Sequence, residues 1–76
     1  MAESVAQVAG RILTAWRNGE GAGLGQELER AAPSSTREIE ALDALTGVVE
    51  SLGQGRQERG AVRLLEHLAG DPKLSA

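Results

Sequence analysis

The 76-residue chain contains no cysteine, phenylalanine or tyrosine, and its single aromatic residue is Trp16. Without cysteine, the chain forms no disulfide and offers a metal no thiolate ligand. A chain of this length buries only about 60% of the surface that its unfolded form exposes, and small domains usually need disulfides, a metal, very close helix packing or oligomerisation. We therefore expect self-association or a protein partner.

The chain also has no large excess of charge of either sign and no long apolar run. The net charge is −3 and the isoelectric point is near 5.0, so the chain as a whole does not attract nucleic acid or anionic lipid. No apolar run approaches the roughly 20 residues of a membrane-spanning helix. The N-terminus lacks the basic start and apolar core of a signal peptide. These features favour a cytoplasmic protein without a membrane partner.

Helical periodicity is present from the start of the chain. Large apolar residues recur at steps of three and four at Val5, Val8, Ile12 and Trp16. This spacing predicts an amphipathic helix over 4–18, and Gly19 follows where a helix end favours the left-handed conformation. Four alternating glycines then predict a flexible connector over 19–25, because each glycine costs a helix about 1 kcal/mol.

Two helices are predicted around Pro33. The first is a short helix over 24–32 that ends at the proline. The second covers 35–53, begins with a capping box formed by Ser35 and Glu38, and ends at Gly53. Its apolar stripe consists of Ile39, Leu42, Leu45, Val49 and Leu52. The last four have the spacing of heptad a and d positions, so the stripe suits either the core or a second copy of the chain.

A last helix is predicted from about 57 to 69, ahead of a frayed tail over 73–76. Its inward residues are Ala61, Val62, Leu65 and Leu68. We expect it to form an antiparallel hairpin with the helix over 35–53, with the first helix laid over the pair and Trp16 as the main large core side chain. The predicted fold is one all-α domain over 1–76, a three- or four-helix bundle that oligomerises.

The segment 44–72 resembles a single tetratricopeptide unit. Gly55 in the turn, Gly60, and then Leu64, Leu68 and Pro72 are similar to the later positions of that pattern. Val48 and His67 depart from it, since small residues are usual at those positions. One such unit cannot bury its own faces. The likeness implies a generic helical hairpin, and no family is assigned.

Catalytic and metal-binding patterns are missing from the sequence. His67 is the only histidine, and H-E-x-x-H is absent. The carboxylates of the third predicted helix lie mainly on its outer face, and Ser35 is explained by its capping role. We expect no enzyme, no metal and no cofactor.

Arg56, Arg59 and Arg63 form a basic stripe at the start of the last helix. Two helices joined by a glycine turn also suit a helix-turn-helix, whose second helix would carry these arginines into a major groove. Glu58 and Glu66 dilute the stripe, and the chain is acidic. A solvated face with an Arg63 to Glu66 pair is the favoured interpretation.

The favoured function is a non-catalytic protein–protein interaction module: a small adaptor, inhibitor, regulatory subunit or chaperone that binds another protein or itself. The residues expected to form its apolar groove or its core are Ile39, Leu42, Leu45, Val49, Leu52, Val62, Leu65, Leu68 and Trp16. One alternative is a small DNA-binding transcriptional regulator that uses the three arginines. A second alternative is a docking or dimerisation segment of a larger assembly, which suits glycine-rich connectors and a lean core.

Overall fold

The computed structural model describes residues 3–55 and 58–71, without the side chains of Ala22 and Glu58. The elements are helix α1 Val5–Arg17, a single 3-10 turn Gly21–Gly23, and helices α2 Leu24–Leu28, α3 Thr36–Gly53 and α4 Glu58–Gly70. No strand occurs within these ranges, so the prediction of an all-α fold is confirmed there. None of the helices described is long and apolar enough to cross a membrane. The predicted contact of Arg56 and the predicted tail over 73–76 lie outside the described residues.

Helix α1 has the most completely capped N-terminus. The Ser4 hydroxyl accepts a hydrogen bond from the Gln7 amide at 3.2 Å, and the Gln7 side chain accepts one from the Ser4 amide at 3.1 Å. This reciprocal pair satisfies two amides that the helix leaves without partners. At the other end Gly19 has a φ of +79°, as predicted from its position.

The capping box predicted for α3 is only half formed. The Ser35 hydroxyl accepts a hydrogen bond from the Glu38 amide at 3.2 Å, but the Glu38 carboxylate accepts one from the Ser34 hydroxyl at 2.8 Å. Glu38 is only 6% exposed, because it lies on the buried face of the helix. The carboxylate is thus satisfied by the preceding serine rather than by the Ser35 amide.

Helix α1 supplies the largest share of the core. Its buried residues are Val5, Ala6, Val8, Ala9, Ile12 and Leu13. It packs most extensively on α4, and the two helices run antiparallel: Gly10 lies against Ala69, and Arg17 pairs with Glu66. Helices α3 and α4 also pack together, as the predicted hairpin requires. The first helix is therefore the centre of the bundle rather than a cover over the hairpin.

The buried face of α3 differs from the predicted one. It consists of Glu38, Ala41, Leu45, Val48 and Leu52. Of the residues that the sequence assigned to either the core or a groove, Leu45 and Leu52 are buried, Leu42 and Val49 are half-buried, and Ile39 is 57% exposed. Small residues line the α3–α4 seam, including Gly47 and Gly60. A Cβ added at either glycine would meet no other atom within 4 Å, and a depression of about 420 Å³ lies along the seam there.

The segment between α1 and α3 contains a shorter helix than predicted, and it also contains a 3-10 turn and a β-bridge that were not predicted. Helix α2 stops at Leu28 instead of reaching residue 32. Beyond it Ala31 forms an isolated parallel bridge with Glu3, in which the Glu3 amide donates to the Arg30 carbonyl at 3.2 Å. Within the predicted connector, residues 21–23 form the 3-10 turn. The chain before α1 therefore holds the end of α2 in place.

Two substitutions on α3 test the observed register. Leu45→Ala should lower the free energy of unfolding by about 2–5 kcal/mol, because Leu45 is fully buried and its loss leaves a cavity. Ile39→Ala should change it by about 0.5 kcal/mol or less, because the side chain is mostly exposed. Urea denaturation at low chain concentration measures both. Equal losses for the two variants would contradict the register.

Candidate functional site

The Trp16 cleft, as we term it, lies where the end of α1 meets the first half of α4. It has a volume of about 600 Å³ and is lined by Trp16, Arg59, Gly60, Val62 and Arg63. Ligand sites typically have volumes of about 300–1,000 Å³ and combine apolar walls with a few polar groups. Its dimensions and lining make this cleft the leading candidate site in the described part of the chain.

One side of the Trp16 indole packs against the chain, and the other side lines the cleft. An added Cβ at Gly21 would lie 3.5 Å from the indole Cζ3, so the 3-10 turn packs directly on the ring. The indole is half-buried and packs on the core, but it also lines the cleft. The sequence predicted Trp16 as a large core side chain. The structure places it at the boundary, where it serves both the core and the surface.

Arg59 and Arg63 lie one turn apart on α4 and are both exposed. Within the described residues neither forms an ion pair. Arginines elsewhere do: Arg11 pairs with Glu3 and with Glu27, whose Oε2 lies 2.6 Å from Arg11 Nε.

The predicted pair between Arg63 and Glu66 does not form. The Glu66 carboxylate instead lies 3.4 Å from the Arg17 guanidinium of α1, because α1 packs beside that part of α4. This leaves Arg63 without the carboxylate that the sequence placed next to it. Among the described residues, the side chains that line the cleft are therefore positively charged or uncharged, on a chain whose net charge is −3.

The composition of the cleft is typical of a protein-binding surface. Two like charges at i and i+4 destabilise a helix by about 0.2–0.5 kcal/mol, so Arg59 and Arg63 lower the stability of the fold only slightly. Tryptophan and arginine are also the residue types most enriched among those that carry binding energy in interfaces. The arrangement can hold an apolar group against the indole and accept carboxylates at the rim.

Helix α3 carries a second apolar surface, apart from the cleft. We define the α3 stripe as Ile39, Leu42 and Val49, of which Ile39 is the most exposed. A depression of about 380 Å³ lies along it and is also lined by Glu40 and Asp43. The stripe lies roughly 100° round the helix axis from the buried face. These are residues that the sequence assigned to either the core or a groove.

The other predicted contact residues belong mainly to the core. Leu45, Leu52, Leu65 and Leu68 are buried, and Val62 is half-buried at the wall of the cleft. His67 is exposed, and no three His, Cys, Asp or Glu side chains come together in the ranges that the structure describes. The sequence did not predict that Trp16, Arg59 and Arg63 lie around one cleft. The signal for it was the antiparallel order of α1 and α4, which periodicity does not reveal.

Comparisons with known proteins identify no relative. No family model, curated protein or solved structure matches this chain. The likeness of 44–72 to a tetratricopeptide unit remains a likeness of pattern. The physical properties of the cleft and the stripe are therefore the basis for the function proposed below.

Replacing Arg63 with glutamine tests whether the arginines of the cleft support the fold. Arg63→Gln should leave the free energy of unfolding unchanged or raise it by about 0.2–0.5 kcal/mol, because it removes a like-charge pair. As a control, Arg11→Gln should lower it by up to about 1 kcal/mol, because it breaks two partly exposed ion pairs. Thermal and urea unfolding give both values. A loss of more than about 1 kcal/mol for Arg63→Gln would show a structural role instead.

Proposed function

We propose that the protein is a non-catalytic interaction module that binds an acidic, amphipathic segment of a partner protein in the Trp16 cleft. The observation that carries this proposal is the presence of two arginines without ion-pair partners in the described residues, beside a half-buried tryptophan. A role as adaptor, inhibitor, regulatory subunit or chaperone is compatible with such a site. The cytoplasm remains the compartment that we predict.

The chemistry of the cleft specifies the ligand. An apolar side chain would enter against the indole of Trp16 and the side chain of Val62, which removes apolar surface of both partners from water. Carboxylates that flank it would meet Arg59 and Arg63, and the planar guanidinium can hold a carboxylate through two parallel hydrogen bonds. The charge pairs speed association and exclude basic partners, while the apolar contact supplies most of the affinity.

Single-stranded nucleic acid is the second candidate, because an exposed aromatic ring with arginines beside it can also stack a base and contact phosphates. The net charge of −3 opposes this ligand. The two ligands differ in salt dependence, since each phosphate contact lowers the logarithm of affinity by about 0.7 per tenfold rise in salt for single strands. An acidic peptide held mainly by its apolar anchor should depend less on salt.

Trp16 makes the proposal directly testable, because it is the only tryptophan and its emission reports on the cleft. A Trp-free helical peptide with leucines on one face and glutamates beside them should shift that emission on binding. The same peptide with lysines in place of the glutamates should bind at least roughly tenfold more weakly. A single-stranded oligonucleotide serves as the competing ligand.

Arginine variants locate the binding. The Arg59→Glu/Arg63→Glu double variant should weaken binding of the acidic peptide about tenfold or more, because it places carboxylates opposite the carboxylates of the peptide. Arg30→Glu/Arg37→Glu is the matched control, because both residues are exposed, lie outside the cleft and change the net charge by the same amount. An equal effect of the two double variants, or preference for the lysine peptide, would contradict the proposal.

A further inference from the structure

The α3 stripe has the chemistry of the ligand that the Trp16 cleft is proposed to bind. Ile39 is the large apolar side chain most exposed in the described residues, at 57%. Glu40 and Asp43 lie beside it, are exposed, and form no ion pair within the described part of the chain. The stripe is thus an apolar anchor with free carboxylates. The cleft is an apolar pocket beside Arg59 and Arg63, which form no ion pair with any described residue.

We propose that the α3 stripe of one copy of the chain docks into the Trp16 cleft of a second copy. This inference rests on the proposed function, since it takes the same cleft and names one of its ligands. Ile39 enters against Trp16 and Val62 of the next copy. The partner in this contact is a second copy of the chain, joined head to tail.

The spacing of the charges on the two surfaces is matched. Glu40 and Asp43 lie three residues apart on α3, and Arg59 and Arg63 lie four apart on α4, so each pair has its side chains about 5–6 Å apart on one helix. Two carboxylates can therefore meet two guanidiniums at the same time. Pairing also removes the like-charge repulsion that each pair has in the isolated chain.

Thr46 makes the stripe suitable for burial. It continues the spacing of Ile39 and Leu42 along α3, and its hydroxyl donates to the Leu42 carbonyl at 2.9 Å. A hydroxyl that already has a partner can be covered without leaving an unsatisfied donor, which would cost about 1–3 kcal/mol. The surface can thus lose its water at low cost.

A symmetric contact between two α3 stripes is disfavoured by the same charges. A two-fold contact places the same patch on both sides, so the carboxylates of Glu40 and Asp43 would face those of the other copy. The head-to-tail contact instead joins opposite charges. Because its two patches differ, it continues from copy to copy and closes only as a ring. An acidic partner would compete with this assembly for the cleft.

Two variants that each lose one patch test the arrangement by complementation. Ile39→Asp removes the anchor of the stripe, and Arg59→Glu/Arg63→Glu removes the charge of the cleft. Light scattering on a sizing column should show that the natural chain grows in mass with concentration, whereas each variant alone stays at the 7.9 kDa of one chain. An equimolar mixture should form a species of twice that mass, because each variant keeps the patch that the other has lost.

Circular dichroism first establishes that both variants retain their helix content, which the exposure of all three substituted residues favours. Arg30→Glu should associate like the natural chain, because Arg30 is exposed and lies outside both patches. A cleft variant that dimerises alone would show a symmetric contact and overturn the proposal. A natural chain that stays monomeric at the highest soluble concentration, or a mixture that stays monomeric, would overturn it as well.

The acidic peptide separates this proposal from the proposed function. If the chain stays monomeric but the peptide still binds the cleft, the proposed function stands without self-association. If neither the peptide nor a second copy binds the cleft, both proposals fail.

Discussion

The antiparallel packing of α1 on α4 is the interaction on which the rest of the structure depends. A chain with one aromatic residue and no cysteine can bury few large side chains, so its apolar residues must meet in one place. Helix α1 provides that place, because Val5, Val8 and Ile12 are fully buried against the neighbouring helices. Helix α4 contributes Leu65 from the other side. Loss of this contact would remove most of the core at once.

The same packing creates the cleft. Helix α1 ends at Arg17 and the chain turns at Gly19, so Trp16 lies at the last turn, where the core meets solvent. The antiparallel order brings that end to the first half of α4, which carries Arg59 and Arg63. Glu66, the carboxylate nearest in sequence to Arg63, pairs with α1 instead. The positive rim beside the indole is therefore a consequence of how the bundle is closed.

The positions of the helices could be predicted from the sequence better than the way in which the helices pack on one another. The helices were recognisable because caps, glycines and apolar spacing are local signals, and the ends of α1 agree closely with them. The spacing of apolar residues along α3 predicted a stripe for the core or for a groove, but it could not show that Leu45 and Leu52 are buried while Ile39 is exposed. Small residues, including Gly47 and Gly60, line a depression along the seam with α4. The grouping of Trp16 with Arg59 and Arg63 depends on helix order in space, for which the sequence has no local signal.

The central claim is that the indole of Trp16 lies beside the positive charge of Arg59 and Arg63. Collisional quenching of Trp16 emission tests it most directly. On a chain with a net charge of −3, a caesium cation would ordinarily reach the indole more readily than an iodide anion. The structure predicts the reverse: for dilute natural chain at equal, low ionic strength, iodide should be the stronger quencher once the different intrinsic efficiencies of the two ions are corrected for. The preference for iodide should be lost in Arg59→Glu/Arg63→Glu. Stronger quenching by caesium in the natural chain would contradict the account of the cleft.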